Sequence, residues 1–223
     1  VAYYPIFIDI ENRPCLVVGA GDVGSRKVLS LLDCGARVTV VSPCITDRLR
    51  SLLLQGKVAV QQRAYREPDL DGMFLVIGAT DDEEVNRRIS DDAKRRGILC
   101  NIVDRPELCE FILPSIVKRG ELIIAISTSG KSPAFAKRLR KELEKQFGEE
   151  YAEFLRLMGA IRKKLLRTAH DPETHKHLFN RLIDEGLLNM VRQRDNDGIN
   201  AVLFLVLGEG FDVDALLEHE ESS

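Results

Sequence analysis

No charge of one sign dominates this chain. Its 223 residues carry 32 Lys and Arg against 35 Asp and Glu, a formal net charge of −3, so no general polyanion-binding surface is implied. Cysteine is sparse: five residues, an odd count without any CxxC pair. That suits reduced thiols in a cytosol better than a disulfide framework or a zinc site. No apolar run approaches membrane-spanning length. The N-terminus lacks the basic and apolar regions of a signal peptide, and because it opens at Val1, a residue or two is expected to have been lost or processed. A soluble, cytoplasmic protein is the expectation. Internal repeats and low-complexity segments are absent as well. The length allows one large domain or two small ones around a sizeable core.

What is present is organised around Cys15 to Pro43. The apolar run Leu16 to Val18 ends in Gly19-Ala20-Gly21-Asp22-Val23-Gly24. Apolar residues then recur at helical spacing (Val28, Leu31, Leu32) up to Gly35, and a second β-rich run follows from Arg37 to Val41. A GxGxxG turn inside a strand-helix-strand frame is the fingerprint of a dinucleotide site. Gly19 allows the tight turn, Gly21 lets the backbone approach a pyrophosphate, and Gly24 lets the helix pack close to the strand. The free amides at the helix start then face the phosphates. The plainer alternative is a glycine turn that only joins two elements. One part of the fingerprint is missing, the acidic residue that usually ends the second strand. That end reads Val41-Ser42-Pro43-Cys44, leaving Ser42 or Asp22 as candidates for the ribose. No arginine follows Ser42 to meet a 2′-phosphate, which favours NAD over NADP.

Further along, a helix is expected over 45–54, a strand over 58–62, a short helical piece within 66–72 and an apolar strand over 73–77. Asp81, Asp82, Glu83 and Glu84 open a helix where acidic side chains suit the dipole, and Arg96-Gly97 stops it. A strand over 98–103 follows. This alternation predicts an α/β fold, a Rossmann-type parallel sheet with right-handed crossovers. After Asp104 the pattern changes. Residues 111–113, 116–117 and 122–127 read as short strands without helices between them. Ser132-Pro133 supplies an N-cap and first helical residue for a helix to about Phe147. Helical periodicity resumes from Tyr151, restarts at Asp171-Pro172, and ends in an apolar helix over 199–207 before a tail that frays from about Glu218. The division expected is 1–113, a dinucleotide domain; 114–147, a small strand-helix unit; and 148–223, a helical domain.

Ligands of open α/β sheets sit beyond the carboxyl ends of the strands, so three stretches should face a nicotinamide: Ser42 to Cys44, Gly78 to Asp81 (with Thr80), and Asn101 to Asp104. Asp104 ends a strand with a carboxylate that can take a proton while a nicotinamide takes a hydride. It is equally read as a turn residue that aspartate favours. Ser127, Thr128, Ser129, Gly130 and Lys131 gather hydroxyls, a glycine and a lysine before a helix, which suits an anion; an ordinary helix cap at Ser132 also explains them. The basic run Lys137, Arg138, Arg140 and Lys141 reads as a solvated helix face. His170, His175 and His177 are too badly spaced for a shared metal face and read as solvated histidines at a helix start, so no metal site is assigned. Cys100 and Cys109 flank Asp104 and read as packing residues.

The segments YYPIFIDIENRPCLVVGAGDVGSRKV, GATDD with Asn86, NIVDRPELCEFILPSIVKRGEL and AISTSGKSPAFAKRLR together resemble the siroheme-synthesis precorrin-2 dehydrogenases, including forms that are also sirohydrochlorin ferrochelatases. The match runs in order from Tyr3 to Arg140. The resemblance implies NAD-dependent oxidation of precorrin-2 to sirohydrochlorin and, in many members, insertion of ferrous iron to give siroheme. It places the functional aspartate at Asp104 and NAD contacts at Asp22, Val23, Pro43 and Cys44. It also implies an intertwined homodimer through about 114–147. In some members a serine in the loop before the dimer helix is phosphorylated; here that position holds Thr128. Larger siroheme synthases add a methyltransferase domain, so this chain is read as a stand-alone form supplied with precorrin-2 by another enzyme. Lys118, Arg119, Lys131 and Arg138 are candidates for the carboxylates of such a tetrapyrrole, whose own four nitrogens supply the ligands for iron. The competing class is a non-catalytic NAD-sensing module whose helical domain binds a partner. Turnover with precorrin-2 separates the two.

Overall fold

The computed structural model describes residues 3–168 and 172–221. The chain divides into two compact units, Val1–Leu113 and Pro114–Ser223.

The first unit is a five-stranded sheet built of β1 (Pro14–Val18), β2 (Arg37–Val41), β3 (Val58–Gln61), β4 (Leu75–Gly78) and β5 (Leu99–Ile102). The strand order is β3-β2-β1-β4-β5, and every pairing is parallel. Parallel strands need crossovers, supplied by α1 (Asp22–Leu32), α2 (Asp47–Leu54) and α3 (Glu83–Arg96), with a 3₁₀ turn at Glu67–Leu70. Because strand side chains alternate, each strand feeds two cores. Cys15 and Val17 join Val28, Leu31 and Leu49 under α1 and α2. Leu16 and Val18 join Ile89 and Ala93 under α3. The order reverses between β1 and β4, and a sheet covered on both faces opens its ligand crevice beyond the strand ends at such a point.

Local signals explain the element boundaries. Thr46 caps α2 through the Leu49 amide, and Asp82 caps α3 by accepting the Glu84 and Val85 amides at 2.9 and 3.1 Å. Gly97 ends α3 with φ 65°, the left-handed turn glycine adopts without steric cost. After β3, Arg63 grips Asp69 with two nitrogens at 2.9 and 2.5 Å, and the Arg66 amide adds a third bond at 2.8 Å. Burial pushes the Asp69 carboxyl up, but the Arg63 bond and the Arg66 amide together hold it below the ordinary aspartate value. A lowered folded pKa contributes stability above the unfolded value, and that contribution is lost as pH falls through the folded one. Asp69→Asn is therefore expected to cost about 1 kcal/mol at pH 7. In pH-dependent denaturant titrations the gap from wild type should close below about pH 4.

The second unit opens with the antiparallel pair β6 (Ser115–Arg119) and β7 (Leu122–Ile126), followed by α4 (Pro133–Gln146). Val117 and Ile126 pack with Ala136 of α4. Lys118 and Ile123 face each other on the opposite side of the hairpin, with Ile116 opposite Ala125. Then come α5 (Glu150–Thr168), α6 (Pro172–Asp184), α7 (Leu187–Gln193), α8 (Asn196–Leu207) and α9 (Val213–Glu221), around a core of Leu157, Ile161, Leu182, Leu187 and Leu203.

Several expectations need correction. Residues 111–113 form no strand; the Phe111 carbonyl accepts from the Asn101 side chain instead of from a neighbouring strand. The helix over 199–207 is not the last, because α9 follows, and α7 lies between α6 and α8. Both extra helices are short, and their apolar residues serve the shared core. His175 is buried, not solvated, and no partner is found for its Nε2 among the described residues; His177 is exposed. His170 lies outside the described residues.

Candidate active site

A crevice of about 680 Å³ lies beyond the carboxyl ends of the strands in the first unit. Its walls come from four places: the glycine turn (Gly19, Gly21, Asp22, Val23), the end of β2 (Ser42, Pro43, Cys44), the turn after β4 (Thr80, Asp81, Asp82), and Val103 with Asp104 beyond β5. Four separate sequence stretches thus meet at one opening, as their positions at strand ends require.

The glycine turn can be tested for fit to a dinucleotide by asking what a side chain would meet. Gly19 has φ 102° and its amide donates to the Val41 carbonyl at 2.9 Å. A Cβ there would sit 2.6 Å from the Ala79 carbonyl carbon. At Gly24 a Cβ would lie 2.9 Å from the Gly19 carbonyl carbon and closer still to its oxygen. Both glycines are needed by the protein itself. Gly21 is different: a Cβ on it meets nothing within 4 Å, so the space above it is open to a ligand. The first helical bond runs from the Ser25 amide to the Gly21 carbonyl at 2.9 Å. The preceding amides of Asp22, Val23 and Gly24 therefore have no acceptor within α1 and suit an anion. The residues fit a pyrophosphate.

The second wall starts at Ser42, which is buried; its amide bonds the Gln61 carbonyl at 3.2 Å. Cys44 is exposed beside it. Tyr65, at 4% exposure, also lines the crevice. Its hydroxyl donates to Asp92 at 2.9 Å, Arg88 stacks over its ring, and Asp92 also pairs with Arg95. Burial, and then the Asp92 bond, push the phenol well above its ordinary value, so Tyr65 stays a neutral wall. Sequence reasoning missed this residue, because it sits in a turn-rich stretch with no periodicity to betray its burial.

On the third wall, Thr80 and Asn86 lock together. The Thr80 hydroxyl donates to Asn86 Oδ1 and Asn86 Nδ2 to the Thr80 carbonyl, both at 2.9 Å. This pair fixes the turn that presents Asp81. Charge in the crevice is one-sided: Asp22, Asp81, Asp82 and Asp104 line it, with no lysine or arginine among the lining residues. A 2′-phosphate would meet carboxylates and no cation, whereas a ribose hydroxyl can donate to them. Lys27, half-buried on α1, is the cation that feels Asp104. Burial and then Arg26 lower its pKa, and Asp104 opposes them.

Asp104 is exposed at the crevice with φ 59°. Asn101, expected to touch substrate, is 7% exposed and donates its amide to the Phe111 carbonyl at 2.9 Å; it is not among the crevice-lining residues. Ser127 to Lys131 belong to the second unit, where they form the turn between β7 and α4. There the Ser127 hydroxyl accepts the Ser129 amide at 3.0 Å and Thr128 Oγ1 accepts the Ser132 amide at 3.1 Å. Ser129 and Gly130 both take positive φ, and Lys131 is exposed. Among the candidate carboxylate contacts, Arg119 donates to the Glu144 carbonyl at 3.0 Å and pairs with Glu149 at 3.3 Å, and Arg138 pairs with Glu142 at 3.0 Å. Lys118 is exposed. Among the described residues no three His, Cys, Asp or Glu side chains converge as a metal-binding group, and no helix is long and apolar enough to cross a membrane.

Comparison with known proteins bears on this geometry. Residues 6–115 match an NAD(P)-binding family model and residues 119–146 the central part of a sirohaem biosynthesis protein. A siroheme synthase of Thioalkalivibrio sulfidiphilus is 36% identical over 94% of this chain and 43% of its own length. One from Nitrosomonas europaea is 39% identical over 85% of this chain and 40% of its own. The chain thus spans less than half the length of these curated relatives. A solved structure of SirC, a precorrin-2 dehydrogenase, superimposes with a TM-score of 0.76 at 27% identity, covering 90% of this chain and 98% of that one. With two consecutive family models in order, relatives along almost all of its length, and a matching architecture, the chain belongs to the siroheme synthase family.

Proposed function

We propose that this chain oxidises precorrin-2 to sirohydrochlorin with NAD as the hydride acceptor. The observation that carries the reading is a single crevice with the glycine turn on one wall and the Asp104 carboxylate on another. Bound NAD supplies a nicotinamide that accepts two electrons and one hydrogen from the substrate. The chain's residues do the remaining work. The amides of Asp22, Val23 and Gly24 hold the pyrophosphate. Ser42 and Asp22 meet ribose hydroxyls, while Pro43 and Cys44 close the adenosine end. Thr80 and Asp81 border the nicotinamide end. Asp104 accepts the proton that leaves the substrate as its hydride departs, which balances the oxidation. The similarity to a precorrin-2 dehydrogenase over 98% of that chain supports this substrate.

The same reading takes ferrous iron as a second substrate, inserted into sirohydrochlorin. Because the macrocycle brings four nitrogens, the protein needs a proton acceptor and room for the metal, a need Asp104 meets in both steps. The reading places Ser127 to Lys131 at the substrate's carboxylates, with Lys118 as a further contact. It assigns 114–147 as the unit through which two copies pair. Ile116 and Ile123, 48% and 41% exposed, lie on the hairpin face turned away from α4, an apolar surface that pairing would cover. A cytoplasmic location suits its free cysteines.

Anaerobic incubation with precorrin-2 and NAD tests the oxidation by NADH formation and the sirohydrochlorin spectrum; intact NAD binding without turnover would sink it. Ferrous ion added to purified sirohydrochlorin tests the second step. The cofactor position has its own check. Cys44 and Cys34 are exposed, whereas burial pushes the Cys15 thiol up to about 11 and the Cys100 thiol up to about 12. A thiol-alkylating reagent should label Cys34 and Cys44. Saturating NAD should slow labelling of Cys44 alone by about tenfold or more, since occupancy at ten times Kd leaves roughly a tenth of the sites open. Equal labelling of Cys44 with and without NAD would move the adenosine end elsewhere.

A further inference from the structure

The segment that carries Asp104 is pinned by contacts from residues further along the chain. Asp104 has φ 59°, a left-handed backbone uncommon outside glycine that aspartate tolerates better than most residues. The turn closes over Asp104 through the Arg105 amide, which donates to the Ile102 carbonyl at 3.2 Å. One sulfur reaches both sides of that turn. Cys109 Sγ accepts the Ile102 amide at 3.1 Å, and its single S–H can donate to the Arg105 carbonyl, 3.1 Å from the sulfur, or to that of Ile102, 3.2 Å from it. Asn101 Nδ2 approaches the same sulfur at 3.6 Å while bonding Phe111.

We infer that Cys109 is a positioning residue for Asp104, its thiol tying Ile102 to Arg105 so that the carboxylate between them is fixed at the crevice. The inference rests on Asp104 acting on the substrate as proposed above. Two features fit a thiol in this role. Sulfur's size lets one atom span three backbone groups. Burial also pushes the Cys109 thiol up, so it keeps the proton with which it donates. Outer supports hold the rest of the segment independently. Ser90 donates to the Leu108 carbonyl at 2.9 Å, Arg105 pairs with Glu83, and Glu110 exchanges backbone and side-chain bonds with Cys100. Loss of the sulfur should therefore loosen the Asp104 turn without unfolding the segment. Cys109 is itself no acid, base or ligand in the reaction.

The test compares Cys109→Val, Cys109→Ser, Asp104→Asn and the Cys109→Val/Asp104→Asn double variant of the full chain. Cys109→Val fills the space without polar contacts and is expected to lower kcat by about tenfold, the scale of a small misplacement of a reacting group. Its Kd for NAD should stay at the wild-type value. Cys109→Ser, which keeps a donor and an acceptor, should recover most of the rate. In native-state hydrogen exchange the Arg105 amide should exchange faster in Cys109→Val than in Cys109→Ser. Acting through Asp104, the sulfur should matter no longer once the carboxylate is gone, so the double variant should be no slower than Asp104→Asn. Wild-type kcat in Cys109→Val beside a crippled Asp104→Asn would overturn the inference and leave the proposed function standing. Additive losses in the double variant would overturn it too. Full activity of Asp104→Asn would remove the inference together with the role given to Asp104. If Cys109→Val does not fold, Cys109→Ala removes the same sulfur without added bulk and decides in its place.

Discussion

Gly21→Ala is expected to leave the protein folded, at unchanged or slightly higher stability, and to lose most of its affinity for NAD. The two effects separate because of where the new methyl lies. Gly21 has φ −71° and ψ −170°, extended backbone that alanine adopts freely, and its Cβ meets no protein atom within 4 Å. Removing a glycine from such a position reduces the freedom of the unfolded chain and contributes about 0.4–1 kcal/mol of stability. The cost falls on the ligand. The methyl occupies the space through which a pyrophosphate must approach the amides of Asp22, Val23 and Gly24. Losing one or two charge-assisted hydrogen bonds there costs about 2–3 kcal/mol, or about 10²-fold in Kd. Thermal unfolding and a titration of NAD measured side by side check both signs. Gly24→Ala supplies the contrast: its Cβ would collide with the Gly19 carbonyl, so stability should fall by about 1–3 kcal/mol. If Gly21→Ala bound NAD as wild type does, the pyrophosphate would have to lie elsewhere.

The three glycines also show which parts of this molecule were legible in the sequence. Their spacing announced the turn, and the strand-helix-strand frame around them announced the parallel sheet, because both follow from local periodicity. Asp104 was visible as the polar end of an apolar run. Its supports were not. Cys109 reads as a packing residue, and Tyr65 sits in a stretch without a repeat. Asn101 looked like a crevice residue by strand-end position, yet its side chain braces Phe111. Contacts of this kind join residues seven to twenty-seven positions apart, and no local pattern encodes them. The helical unit repeats the lesson. Residues α5 and α8 contribute carry clear apolar stripes, whereas α7 and α9, at seven and nine residues, are too short to stand out and are held by the core they complete.

Asp104→Asn should slow oxidation by about two to four orders of magnitude while leaving NAD binding and the fold in place. Asparagine is the substitution that isolates the charge. It matches aspartate in shape, and it is among the few residues besides glycine that enter the left-handed region readily. The turn at φ 59° is thus kept, together with the Cys109 and Arg105 contacts around it. Asp104→Ala would add backbone strain of about 1 kcal/mol to the loss of the carboxylate and blur the comparison. What asparagine lacks is the capacity to accept a proton. General-base contributions are worth about 10²–10⁴-fold, so kcat under anaerobic conditions should fall within that range at an unchanged Kd for NAD. If the carboxylate also relieves sirohydrochlorin of its protons as iron enters, the rate of ferrous insertion should fall in the same variant. Loss of oxidation alone would confine Asp104 to the first step. Loss of neither would return Asp104 to the other role its position allows, an aspartate that terminates a strand with a turn.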